Sequence, residues 1–248
     1  MDITNIVLSA FLAFGQPVTN TREVVRHAGL QVIHADGTLT LRMTEPVRKD
    51  WTESGVRHLV FENRDETYPL FLTRHVVFRD DSDVVETWTE IRHEEEGVVR
   101  LVKMDSFAAE IPGATNEIRV MTLAGKVQHE ARVVECALPF GQTLTTSSRE
   151  GIHNAWESNP AMMVSFGAST ETSGDVLGVA LEWTGCSAKS VRRTFDGETS
   201  LFIGVDNLGL PYVLEPNVTL RTPRAMLVLS RKARVRFHDS STGGRTIT

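Results

Sequence analysis

The sequence predicts an all-β fold, a large antiparallel β-sandwich, and three observations support this class. Short apolar runs of alternating polarity are separated by Gly, Pro, Asn and Asp along most of the 248 residues. Val and Thr, which favour strands, dominate these runs. No apolar pattern of helical period continues beyond about three turns. Many short strands without intervening helices favour a sandwich or barrel over a βαβ architecture.

The strands can be assigned in order from the turns that separate them. Residues 30–34 and 38–43 flank an Asp-Gly turn, which is the plainest hairpin signal in the sequence. Residues 68–78 and 84–92 flank an acidic turn, whose composition suits a loop that must stay hydrated. The remaining predicted strands are residues 57–61, 98–102, 116–123, 126–134, 161–166, 176–183, 190–195, 200–205 and 225–229.

We expect these strands to form one domain over residues 1–230, shortened at its N-terminus. No Pro/Ser-rich linker divides this stretch, and nothing in it repeats at a fixed period, so a propeller or solenoid is not indicated. Residues 231–248 are small and polar towards their end, which predicts a disordered tail. The basic run at residues 231–236 is expected to be a solvated part of this tail.

The apolar run at residues 3–14 favours a buried strand in a cytoplasmic protein. It is short of the roughly 20 residues that cross a bilayer. A signal peptide would carry positive charge ahead of its apolar run, and here Asp2 is the one charged side chain before it. Export stays open as the minor alternative, and no membrane partner is expected.

Composition and motifs argue against several other function classes. The formal net charge of −6 would repel nucleic acid. Cys136 and Cys186 are too few for a disulfide framework, and we expect both to stay reduced. None of the eight histidines has zinc-site spacing, and no phosphate-binding Gly-rich loop or Gly-x-Ser-x-Gly motif is present. We therefore expect no metal and no cofactor.

The segment at residues 151–160 is the strongest candidate for ligand binding. His153, Asn154, Trp156 and Asn159 combine an imidazole, two amides and an indole just before an apolar strand. Such mixtures bind sugars, because an aromatic ring stacks on the flat apolar face of a pyranose while amides pair with its hydroxyls. The alternative is that Trp156 packs at the edge of the sandwich. The other tryptophans, Trp51, Trp88 and Trp183, are expected to be core or edge packing.

Five segments, in this order, resemble the N-terminal β-supersandwich domain of glycoside hydrolase family 36, the bacterial α-galactosidase group. Each is weakly specific alone, and together they cover roughly residues 28–230 in the order of one such domain. They are residues 68–71 with 77–88; 101–113; 122–125 with Glu130 and Arg132; 147–151 with His153, Asn159 and Pro160; and 214–216 with Thr222, Pro223 and 227–230.

The resemblance implies a galactose-mutarotase-like supersandwich without catalytic residues. In that family the two catalytic aspartates belong to a (β/α)₈ barrel that follows the sandwich, and no position of this sequence matches them. The family's loop that reaches a neighbouring subunit's active site is altered here, since residues 15–22 contain Asn20 but no Asp. We therefore expect no catalytic residues and no α-galactosidase activity from this chain alone.

Three functions remain open from the sequence. The favoured one is an accessory domain that packs on a (β/α)₈ catalytic domain supplied in trans and promotes homo-oligomerisation, with an exposed apolar docking patch as its signature. The second is a stand-alone carbohydrate-binding module that takes an α-galactoside or oligosaccharide through residues 151–160. The least supported is an independent sandwich enzyme, such as a sugar mutarotase or lyase.

Overall fold

The computed structural model describes residue 6 and residues 29–111, 117–126, 128–129, 131–153, 156–167, 169–170 and 173–230. The predicted N-terminal strand at residues 3–14 lies outside these residues except for Ile6, which is buried and has helical rather than extended backbone. The predicted tail at residues 231–248 and Asn154 also lie outside them.

Two antiparallel sheets form a sandwich, which confirms the predicted fold class. The smaller sheet has the order β1-β6-β13-β12-β9, with β14 also paired to β6. Its strands are β1 Leu30–Ile33, β6 Val99–Ile111, β9 Gln142–Ser148, β12 Ser187–Arg193, β13 Thr199–Val205 and β14 Tyr212–Leu214.

The larger sheet has the order β2-β3-β4-β5-β16-β11-β10-β7-β8, with β15 also paired to β5. Its strands are β2 Val47–Glu53, β3 Val56–Arg64, β4 Leu70–Arg79, β5 Ser82–His93, β7 Ile118–Ala124, β8 Arg132–Ala137, β10 Ser158–Phe166, β11 Asp175–Leu181, β15 Thr219–Arg221 and β16 Ala225–Ser230.

The main core lies between the two sheets. Alternate residues of each strand point inward, as the period of two in the sequence requires. Leu59 and Leu177 of the larger sheet pack in one cluster with Phe107, Val191 and Leu201 of the smaller sheet, and each is almost fully buried. A second apolar cluster extends the core beneath β1 and β14.

The predicted hairpin at residues 30–34 and 38–43 is wrong in its second strand. The turn forms, with Gly37 at φ 88° and the His34 amide donating to Thr38 O at 2.8 Å. However, β1 pairs with β6 rather than with residues 38–43, of which Met43 alone forms a bridge. The His34 side chain explains the arrangement, because its Nδ1 lies 2.8 Å from Glu95 Oε1 and its Nε2 donates to Thr40 O.

No helix among the described residues is both long and apolar enough to cross a membrane.

Candidate functional site

One end of the sandwich gathers both the predicted binding loop and an apolar groove. The strand register defines this end in both sheets. In the larger sheet, Leu181 at the end of β11 faces Ala225 at the start of β16. In the smaller sheet, Ser187 at the start of β12 faces Val205 at the end of β13. The loop between β9 and β10 leaves from the same end, since Ser148 also faces Ser187. We call this the groove end.

The loop between β9 and β10 is held by polar contacts to its neighbours. His153 is exposed and stacks on the half-buried Trp156, with ring centroids 4.0 Å apart and planes 13° from parallel. The Arg149 amide donates to Glu157 Oε2 at 2.7 Å. The Arg149 Nε donates to Asp206 Oδ2 at 2.7 Å, and this hydrogen bond raises the pKa of the Arg149 guanidinium. The loop is thereby joined to the segment after β13.

The structure therefore brings His153 and Trp156 together, as the predicted site requires. Asn159 lies half-buried on β10. Because His153 covers one face of the Trp156 indole, a sugar ring would have to use the other face or the edge. Binding by this loop stays a prediction.

A groove of about 440 Å³ opens at the same end, and its lining includes Asn207, which follows the Asp206 that binds Arg149 of the loop. Its apolar floor is formed by Met104 of β6, Val205 of β13 and Leu220 of β15. Two aromatic side chains line it, Trp183 in the turn after β11 and Tyr212 at the start of β14, and each is 41% exposed. The polar lining residues are Glu182, Asn207, Arg221, Thr222 and Arg224.

The Trp183 ring is fixed by its own turn. Its Nε1 donates to Cys186 O at 3.1 Å. Gly185 lies against the ring so closely that a Cβ at this position would be 2.7 Å from Nε1. Trp183 was expected to be core or edge packing; it follows the end of β11 at Leu181, is partly exposed, and lines the groove.

The charges along one side of the groove are paired. Arg224 Nε lies 2.9 Å from Glu182 Oε2, and Arg224 Nη1 lies 3.1 Å from Glu86 Oε2. Burial alone would raise the pKa of the Glu86 carboxyl, but the hydrogen bonds from Arg224 and Arg79 outweigh it and lower this pKa. Glu86 is therefore a carboxylate at neutral pH, and Arg224 brings little net charge to the groove.

Arg221 connects the groove to a row of rings on the outer face of the larger sheet. Its guanidinium lies 4.4 Å from the Trp88 ring centroid, and Trp88 stacks on His75 at 4.7 Å. Burial lowers the pKa of His75, which keeps its imidazole neutral at pH 7. Trp51 and His58 continue the row towards the sheet edge, with centroids 5.0 Å apart.

The buried carboxylates of the described residues have structural partners. Asp65 accepts hydrogen bonds from three backbone amides, those of Arg42, Thr67 and Tyr68. Glu95 accepts from the Ala35 amide in addition to its contact with His34. Burial raises the pKa of Asp105 to about 6, opposed by Lys103, whose Nζ lies 2.9 Å away.

These three carboxylates do not resemble an acid/base pair. Retaining glycosidases hold two carboxyl groups about 5–5.5 Å apart across a substrate cleft, whereas Asp65, Glu95 and Asp105 are at most 8% exposed and do not line the groove. Within the described ranges, no three His, Cys, Asp or Glu side chains are grouped so that they could hold a metal ion.

The groove was not predicted from the sequence, because its residues are spread over five separate segments. One local signal was available. Trp183 and Tyr212 each sit beside Gly or Pro, in Trp183-Thr184-Gly185 and in Gly209-Leu210-Pro211-Tyr212, rather than in mid-strand. Aromatic residues in turns are candidates for exposed contact surfaces.

Comparison with known proteins identifies relatives that are much longer than this chain. Alpha-galactosidase 2 of Pediococcus pentosaceus is 26% identical over 190 residues, which is 77% of this chain and 23% of the relative. The crystal structure of the GH36 α-galactosidase AgaA of Geobacillus stearothermophilus superposes with a TM-score of 0.78 at 16% identity, over 89% of this chain and 32% of AgaA.

The structure of the α-galactosidase of Lactobacillus brevis gives the same TM-score of 0.78, at 19% identity over 90% of this chain and 32% of that protein. At these identities the structural matches establish a shared fold. The family model described as the glycosyl hydrolase family 36 N-terminal domain matches residues 16–215, which is most of the sequence. The chain therefore belongs to the family of glycosyl hydrolase family 36 N-terminal domains.

Proposed function

We propose that this chain is a non-catalytic domain of an α-galactosidase-like glycoside hydrolase, which docks on a (β/α)₈ barrel and supports assembly. The observation that carries this proposal is the match to the family's N-terminal domain over residues 16–215. The contacts of Asp65, Glu95 and Asp105 also support the non-catalytic assignment, because these buried carboxylates bind neighbouring groups of the fold.

An exposed aromatic patch is the proposed docking face. The patch lies at the end of the sandwich opposite the groove end, where Arg193 at the end of β12 faces Gln142 at the start of β9. Phe195, in the turn between β12 and β13, is 88% exposed, and Phe140 beside it is 44% exposed. Exposed aromatic patches of this kind mark protein interfaces.

The Phe140 side of this patch is rigidly supported. The Arg193 guanidinium lies 3.6 Å from the Phe140 ring centroid, and Arg193 Nη1 donates to Leu138 O at 3.2 Å. The Phe195 ring lies over Gly141, where a Cβ would be 2.8 Å from the ring. We place a barrel supplied in trans against these two rings.

The first test is an assay of the purified chain with p-nitrophenyl α-galactoside. We expect no turnover above that of buffer. Turnover that a single carboxylate substitution abolishes would overturn the non-catalytic assignment.

The second test is complementation. The chain is co-expressed with a family α-galactosidase from which the matching N-terminal residues have been deleted. We expect the chain to restore hydrolysis, Phe195→Asp to abolish the restoration, and Trp183→Ala at the opposite end to preserve it. Equal restoration by Phe195→Asp would remove this patch from the docking face.

Carbohydrate binding by the loop between β9 and β10 is a second candidate function. The stacked pair of His153 and Trp156 favours it, because it presents aromatic surface beside polar groups at the groove end. Stachyose and raffinose are bound in crystal structures of AgaA variants, which makes these sugars the first ligands to test. If the loop binds them, Trp156→Ala should weaken the affinity about tenfold, and unchanged affinity would exclude the loop.

A further inference from the structure

We infer that the groove between Trp183 and Tyr212 is a second carbohydrate site, which binds a neutral oligosaccharide independently of the loop between β9 and β10. The inference extends the proposed carbohydrate binding to a different surface and does not depend on barrel docking. It rests on the shape of the groove, on the polar groups that it leaves without partners, and on its charge.

The size and lining of the groove suit a small ligand. Its volume of about 440 Å³ lies within the range of roughly 300–1,000 Å³ that is usual for small-molecule sites. Met104, Val205 and Leu220 supply an apolar floor, and Trp183 and Tyr212 add aromatic surface. A pyranose ring has one face of C–H groups, which packs on such rings while the hydroxyls at its edge stay available for hydrogen bonds.

The polar groups around this floor are ready to bind hydroxyls. The Asn207 amide, the Tyr212 hydroxyl and the Arg221 guanidinium make no hydrogen bond with any other side chain or backbone group of the described residues. Asn and Tyr can each both donate and accept, and Arg offers five donors in a fork. A sugar hydroxyl, which needs one acceptor and up to two donors, is matched by this set.

The charge of the groove favours a neutral ligand. Arg224 is paired with Glu182 and Glu86. Arg221 lies on the Trp88 ring and is the one lining cation outside an ion pair in the described part of the chain. A single arginine in a chain of net charge −6 gives weak attraction for an anion, and it can still donate to vicinal hydroxyls.

The site is also organised before any ligand binds. Tyr212 is held on β14, which pairs with β6, and Leu220 is held on β15, which pairs with β5. Trp183 is fixed by its bond to Cys186 O and by contact with Gly185. Because these side chains are already ordered, ligand binding would cost little conformational entropy, and the affinity would be higher for the same contacts.

The experiment is an NMR titration of the isotope-labelled chain with raffinose and with stachyose, following the indole N–H signals of the four tryptophans. We expect the Trp183 signal to shift saturably with a dissociation constant in the millimolar range, while the Trp51 signal stays in place. Trp51 is the matched control, because it is 43% exposed on the edge strand β2 and does not line the groove.

Substitutions then assign the contact. Trp183→Ala should weaken binding at least tenfold, and Tyr212→Phe, which removes the hydroxyl and keeps the ring, should weaken it about threefold. Gly185→Ala should weaken it as well, because the new Cβ displaces the indole without removing it. Trp51→Ala should bind like the unmodified chain. Backbone amide spectra confirm that each variant stays folded.

The outcomes separate this site from the other proposals. Binding that Trp156→Ala abolishes and Trp183→Ala leaves unchanged would assign the sugar to the loop and overturn the groove site. The absence of a saturable Trp183 shift with both sugars, or a shift with inorganic phosphate alone, would also overturn it. Galactosidase activity would overturn the non-catalytic assignment, failed complementation would overturn the docking proposal, and neither would affect the groove result.

Discussion

The Lys189 ammonium lies inside the sandwich, where the side chain is 2% exposed. Its Nζ donates to Ser158 Oγ at 2.7 Å, and no carboxylate pairs with it among the described residues. The neighbouring hydroxyls of Ser187 and Ser148 are buried without hydrogen-bond partners in the same part of the structure. Burial lowers the pKa of Lys189 from 10.5 to about 8, because a charged ammonium is poorly solvated there.

This shift predicts how stability depends on pH. The pKa of Lys189 in the folded state is below that in the unfolded state. Below pH 8 both states therefore carry the proton, and the folded state bears the whole free-energy cost of burying the charged ammonium. The shift of about 2.5 units at about 1.4 kcal/mol per unit makes this penalty about 3 kcal/mol. As pH rises from 8 to 10.5 the folded state loses its proton first, and the penalty is relieved.

Lys189→Met removes the ammonium and keeps the length of the side chain. At pH 7 it relieves about 3 kcal/mol of penalty and leaves the Ser158 hydroxyl without its partner, which costs about 1–2 kcal/mol. We expect a net stabilisation of about 1–2 kcal/mol at pH 7. At pH 9.5 the unmodified chain should have recovered about 2 kcal/mol, so the variant should no longer be the more stable of the two.

Urea unfolding at pH 7 and at pH 9.5, followed by circular dichroism, measures this difference directly. Other lysines and the tyrosines titrate equally in both proteins and cancel in the comparison. Lys49→Met is the control, because Lys49 is exposed on β2 and pairs with Glu62, so its replacement should give the same small effect at both pH values. A stability difference between Lys189→Met and the unmodified chain that does not change with pH would refute the reasoning.

Three further substitutions, with Gly97→Ala as a comparison, test the packing and polar contacts of the fold by urea unfolding. Phe107→Ala should lower the free energy of unfolding by about 3–5 kcal/mol, because Phe107 is 1% exposed at the centre of the main core; a loss below 1 kcal/mol would contradict this. Gly204→Ala should lower the free energy of unfolding by about 1–3 kcal/mol, since a Cβ there would lie 2.7 Å from Asp105 Cα on the adjacent strand. Gly97→Ala should lower it less, because the nearest atom to a Cβ at that position is 3.2 Å away. Glu95→Ala should lower it by about 3 kcal/mol through loss of the acceptor for His34 and for a backbone amide, and a neutral effect would show that this pair is dispensable.

Much of the sandwich could be predicted from the sequence because its central strands are buried on one face. β4 and β5 alternate between buried and partly exposed residues, and the acidic turn between them lies where it was predicted. β2 was missed because all seven of its residues are exposed, so it carries no alternating apolar signal. β9 was missed for a similar reason, since one residue of its seven is buried. The pairing of strands was also hard to predict. β1 pairs with β6, some 70 residues away, and the residues of a local turn do not indicate such long-range contacts.

The site was less predictable than the fold, and the reason is geometric. The loop at residues 151–160 could be proposed because its candidate groups are adjacent in sequence. The groove brings together Met104, Trp183 and Tyr212 from different strands and turns, and its pairing of an apolar floor with unbonded polar groups exists only in three dimensions. The alternating run that ends at Trp183 favoured core or edge packing, and the lining of the groove by this ring became visible only in the structure.

The two ends of the sandwich divide the proposed roles between them. β16 runs from Ala225 at the groove end to Ser230 at the other, a rise of about 17 Å at 3.3 Å per residue. A barrel docked on the Phe195 patch would leave the groove beside Trp183 open. Substitutions separated by more than 7–10 Å without shared partners act additively, so sugar binding in the groove and barrel docking can be changed separately. Under these two proposals, the domain would bind a catalytic partner at one end and an oligosaccharide at the other.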